Sequence, residues 1–141
     1  MSKIFLLTFL LLFSACQEKA KPVIKKHSTL QTPIGCMKLN RLLGDEPLTE
    51  YLATLYAFDD TCPLVLNLSY KKDIVCNSSY NAMNKNMGKF PKSFVKLELR
   101  QGMTLAYSYY VDLYSNVDEE DVEEGFKQLK KDLIEDKKES K

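Results

Sequence analysis

The chain has 141 residues, 45% of them apolar and 28% charged, with a formal net charge of +1. That length sets one domain as the expectation, and the near-neutral balance excludes the whole-molecule field on which a nucleic-acid binder relies. Arginine occurs only at Arg41 and Arg100, so bidentate clamps on phosphate or carboxylate have little material to draw on.

Lys3 is the only charge ahead of an apolar run, Ile4 to Phe13, broken only by Thr8. The run is too short to span a membrane as a helix, which takes about 20 apolar residues. A charged start, a short apolar core and then small residues is the layout of a secretory signal. The core ends in LFSAC, Leu12 to Cys16, with Ser14 and Ala15 directly before the cysteine. This stretch resembles the lipobox of bacterial lipoproteins, with Phe13 where leucine is commonest. The resemblance covers residues 1–16 and implies that 1–15 are removed and that Cys16 carries lipid. Gln17, in place of the aspartate that retains such proteins at the inner membrane, implies delivery to the outer membrane, periplasmic side. The alternative is an ordinary secretory signal followed by a chance cysteine.

Cutting at Cys16 removes one lysine from 20 basic side chains and none of the 19 acidic ones. It leaves Cys36, Cys62 and Cys76, which in an exported protein read as one disulfide and one spare thiol. Cys62 with Cys76 closes the shortest loop, leaving Cys36 spare, although sequence does not fix the pairing. There is no C-x-x-C pair and His27 is the only histidine, so no zinc site is expected.

Residues 17–35 hold four lysines (19, 21, 25, 26), Pro, Ser and Thr, without a sustained helical or strand period. They read as a flexible tether, with an r.m.s. reach of roughly 25 Å. The lysines are candidates for contact with anionic headgroups, against the plainer reading of a solvated linker.

A single domain is then expected over 36–136. A short helix is predicted for Met37–Leu43. A second covers GDEPLTEYLATLYAF, with Asp45 as cap, Pro47 in the first turn, and Leu48, Leu52 and Leu55 on one face. Leu64–Tyr70 alternates as a strand with one buried face. Ile74–Gly88 has helical spacing at Cys76, Tyr80, Met83 and Met87, weakened by four asparagines. Ser93–Arg100 and Met103–Tyr114 are strands joined by a hairpin at Gln101-Gly102. Asp118–Asp136 is the clearest helix: Val122, Phe126, Leu129 and Leu133 form one stripe, and acidic and basic ends suit the macrodipole. Residues 137–141 read as a frayed tail. The order α-α-β-α-β-β-α implies an α+β fold, a small antiparallel sheet of three to four strands with helices packed on one face.

No catalytic set emerges. The one histidine lies in the tether, Asp59-Asp60 reads as a turn, and DEEDVEE at 118–124 lacks the spaced ligands of a calcium loop. No cofactor or metal is expected. Tyrosine combines large area with a polar tip and is enriched at interfaces. Tyr110 and Tyr114, on the strand face opposite Tyr107 and Tyr109, are therefore the candidate partner-binding residues, although aromatics also simply favour strands. The sequence reads as a lipid-anchored, non-enzymatic envelope protein that binds another protein, either as an assembly accessory or, alternatively, as an immunity or inhibitor protein against a toxin or hydrolase. An enzyme using carboxylates or the spare cysteine and a purely structural envelope spacer are the remaining alternatives.

Overall fold

A computed structural model describes residues 19–27, 30–41, 46–75 and 90–135. Its elements are β1 (Val23–Lys26), β2 (Lys38–Leu39), α1 (Pro47–Thr54), β3 (Leu64–Lys71), β4 (Ser93–Gln101), β5 (Thr104–Leu113) and α2 (Glu119–Leu133). The strands form one five-stranded sheet in the order β1-β5-β4-β3-β2. β3, β4 and β5 are an antiparallel meander, β1 adds antiparallel to β5, and β2 adds parallel to β3.

This corrects the expected fold on three points. The sheet is mixed and five-stranded rather than antiparallel with three or four strands. Only two helices stand among the described residues, so the order α-α-β-α-β-β-α does not hold. The stretch read as the first helix instead contains β2. Parallel strands need a crossover between them, and α1 lies in the connection from β2 to β3. The stretch read as a tether supplies β1. Its four residues are all exposed, so no apolar alternation marked them; pairing with the β5 edge places them, in the register Val23↔Tyr110 to Lys26↔Tyr107. Most of the helix expected over Ile74–Gly88 lies outside the described residues, and Ile74 and Val75 are not helical.

The central strands follow their alternation. Val95, Leu97 and Leu99 on β4 are fully buried. Leu97 sits between Leu68 and Tyr109, and Leu99 between Leu66 and Tyr107. Gly102, with φ +57°, opens the two-residue connection between Gln101 and Thr104, the place where a hairpin favours glycine. The β5 alternation is interrupted near its start by a register shift: Leu99 faces Tyr107 and Arg100 faces Leu105. Ala106 is thus the extra residue of a bulge. Strict alternation would put Met103 and Leu105 on the face of Tyr107 and Tyr109, but the bulge turns Leu105 off that face, and Met103 lies in the connection itself, 95% exposed.

α2 covers one sheet face. Val122, Phe126, Leu129 and Leu133 are buried as its spacing requires. A reciprocal capping box of Asp118 and Asp121 closes its start, satisfying amide donors that have no helical partner. α1 contributes Leu48 and Leu52 to the same core. Tyr51 of α1 donates its hydroxyl to Glu123 of α2 at 2.9 Å. Burial of side chains this size contributes about 1.5–3 kcal/mol each.

The disulfide joins Cys36 to Cys62, with Cα atoms 5.9 Å apart, and not Cys62 to Cys76. Cys36 lies just before β2 and Cys62 just before β3, and the parallel pairing of those strands brings the two together; loop length alone pointed elsewhere. Cys76 and the lipidation candidate Cys16 lie outside the described residues.

Candidate functional site

Among the described residues, both helices pack on one face of the sheet. The opposite face is built in rungs. Val23, Tyr110, Lys96 and Ser69 align across β1, β5, β4 and β3, and Lys25, Ser108, Glu98 and Asn67 form the next rung. Every second residue of each strand points here by the pleat, and the β4 contributions, Phe94, Lys96, Glu98 and Arg100, are all only half-buried.

Tyr110 occupies this face, as its alternation implied, but it is held in place. Its ring stacks on Phe94 at 5.6 Å between centroids, and its hydroxyl donates to Asp112 Oδ1 at 2.7 Å. That hydrogen bond, with burial second, pushes the phenol up to about 12. Tyr114, the other candidate, is half-buried one residue beyond the end of β5. Tyr110 with Phe94 thus forms a rigid aromatic ledge, whereas Tyr114 stands at the rim of the strand. Beside the ledge, Lys96 Nζ lies 2.8 Å from Glu98 Oε1, and Arg100 Nη2 lies 3.7 Å from the same oxygen.

Further along the face, where β2 stops pairing with β3, a cavity of about 220 Å³ opens. Its lining includes Arg41, Arg100, Glu46, Glu98, Asn67 and Ser69. Asn40 Nδ2 donates to Asn67 Oδ1 at 2.6 Å beside it. Sequence reasoning set the two arginines aside because they were few. Fifty-nine positions separate them, and only the parallel addition of β2 brings them to one cavity.

The other candidate groups have structural work. Asp59 Oδ1 accepts from both the amide and the hydroxyl of Thr61, which holds its carboxyl below the usual range; it closes a turn, as expected. In the acidic run, Asp118 and Asp121 cap α2. Lys19 reaches Asp121 at 2.9 Å and Glu124 at 2.8 Å, a cluster that sequence reasoning missed because Lys19 was assigned to a tether. Burial alone would lower the Lys19 ammonium, but hydrogen bonds to Asp121 and Glu124 outweigh it and raise it. On the helix-covered face, Tyr107 donates to Asp132 Oδ2 at 2.8 Å. Among the described residues, no group of three or more His, Cys, Asp and Glu side chains is placed to hold a metal ion, and no helix is long and apolar enough to cross a membrane. Comparison with protein-family models, with curated proteins and with solved structures finds no match for this chain.

Proposed function

We propose that this chain is an exported lipoprotein, anchored through lipid on Cys16 to the periplasmic side of the outer membrane, whose domain binds another envelope protein without catalysis. The observation that carries the binding reading is the sheet face bare of helices among the described residues, with the Phe94–Tyr110 ledge beside the Lys96–Glu98–Arg100 row. A rigid aromatic pair next to fixed charges is the composition of a binding hot spot with a polar surround. The Cys36–Cys62 bond supports export, since such bonds persist in oxidising compartments.

Two experiments test the two halves. Membrane fractionation of Cys16→Ala against the parent tests the anchor: release of the variant supports it, and unchanged membrane association with an unmodified Cys16 by mass spectrometry overturns it. For the binding face, a photo-crosslinking residue replaces Lys96 in one variant and the exposed helix residue Lys127 in another. A specific adduct from the sheet position alone is the expected result. Adducts from both positions, or from neither, remove this face as the binding surface. A secreted toxin or hydrolase as the adduct, in place of an envelope component, would assign the domain as an inhibitor of that protein.

A further inference from the structure

The chain's only two arginines, Arg41 and Arg100, line the same cavity of about 220 Å³. That volume corresponds to about seven waters at roughly 30 Å³ each, and so to a ligand of amino-acid or dipeptide size. The charges around it are unevenly used. Glu98, 17% exposed, serves two cations through one oxygen, with Lys96 at 2.8 Å and Arg100 at 3.7 Å. The remaining described side-chain contact of Arg100 is a long hydrogen bond of 3.4 Å from Nη1 to the Met103 carbonyl. A guanidinium has five N–H donors in a fork that matches a carboxylate, and most of those of Arg100 are not engaged by these contacts. Glu46 lines the same cavity. It is the N-cap residue of α1, yet its side chain makes no capping hydrogen bond; it interacts instead with the Tyr70 hydroxyl. Asn67 and Ser69 add neutral hydrogen-bonding groups to the lining.

We infer that this cavity binds a small zwitterion, an amino acid or dipeptide, with its carboxylate on Arg41 and Arg100 and its ammonium on Glu46. Two guanidinium groups and a carboxylate in the lining of one space of this size match the separated charges of one ligand. A simple inorganic anion would leave Glu46 opposed to it. The site shares Glu98 and Arg100 with the sheet face proposed for partner binding, but its test reads a small ligand and not a protein adduct, so the two readings fail separately.

The test is titration of the isotope-labelled protein with L-alanyl-L-alanine, followed by amide and arginine side-chain resonances. Binding in the millimolar range or tighter is expected, as suits a ligand of so few atoms. The dipeptide methyl ester and the N-acetyl dipeptide should each bind at least about tenfold more weakly, since each removes one charge. Arg100→Gln and Arg41→Gln should each weaken the dipeptide by a similar factor. Arg100→Lys keeps the charge without the fork and should also lose affinity. Glu46→Gln should abolish the preference for the free amine over the N-acetyl form. Circular dichroism and thermal melts confirm that each variant is folded, and the ligand-side comparison in the parent protein needs no variant at all. Ester and free acid binding equally, inorganic phosphate competing as well as the dipeptide, or no shift at about 20 mM ligand would each overturn the inference.

Discussion

Gly125 of α2 lies so close to the Tyr109 ring of β5 that a Cβ added to it would stand 2.8 Å from Tyr109 Cε1. Leu97 Cδ1 would be 3.2 Å from that added Cβ. The absent side chain is what lets the helix settle onto the sheet.

Gly125→Ala sets two effects against each other. Helix propensity favours alanine by about 1 kcal/mol. The overlap meets a buried ring and a buried leucine, and overpacking of this kind costs about 1–3 kcal/mol. The overlap should win, giving a net loss of stability in urea denaturation. Adding Tyr109→Leu should recover part of it. A neutral or stabilised Gly125→Ala would mean that helix and sheet yield more easily than this packing implies.

Lys19→Met should destabilise the domain by about 1–3 kcal/mol, because Asp121, 3% exposed, then loses its cation. The double variant with Asp121→Asn should lose less than the sum of the single changes, since the two groups share one interaction. Strict additivity in denaturation midpoints would show that the pair contributes nothing through contact.

Cys36→Ser should lower stability by about 3–4 kcal/mol in the chain-entropy account of a bond spanning 26 residues. Cys62→Ser should match it, while Cys76→Ser should have little effect on that term. A larger loss for Cys76→Ser than for Cys36→Ser, in matched melts, would indicate a different pairing.

Alkali should unfold the protein in a defined window. Burial and the charge of Glu124 push Tyr109 up to about 12, and the Asp112 hydrogen bond does the same for Tyr110. Burial and the Asp132 hydrogen bond also raise Tyr107. All three stay protonated in the fold at pH values where unfolded tyrosine, near 10, releases its proton. The unfolded state therefore binds fewer protons, and stability falls as pH rises from about 10 toward 12. Lys19, also raised, acts with the same sign: its contribution is complete below the ordinary lysine value and is lost above it. Stability should be flat from these groups at neutral pH. Asp112→Asn should bring forward the phenolate absorbance step assigned to Tyr110.

The sequence carried the strongly patterned parts of this architecture and little of its assembly. β3, β4 and α2 were legible because their buried residues recur at a fixed period, as Leu64, Leu66 and Leu68 or Val122, Phe126 and Leu129 show. β1 and β2 were not, since four exposed residues and two residues offer no period to read; the backbone edges of β5 and β3 place them. The bulge at Ala106 shifted the β5 face by one residue, which alternation counted from one end cannot reveal. The disulfide and the Arg41–Arg100 cavity both depend on β2 lying parallel to β3, so both were hidden for the same reason. Tyr110, by contrast, was placed on the face opposite Tyr109 by simple alternation along its own strand, and there it pairs with Lys96.

The bridge of Lys19 to Leu113 and the hydrogen bond from the Ala20 amide to the Asp112 carbonyl fasten the chain to the sheet almost at its proposed lipid. Three residue steps from Cys16 to Lys19 cover at most about 11 Å of extended chain, against the roughly 25 Å expected of a free linker. A protein so anchored would ride on the bilayer like a low peg, with its orientation toward the surface largely fixed. It would meet partners by lateral diffusion among neighbours in the same leaflet, and anything lying deeper in the periplasm would have to come to it.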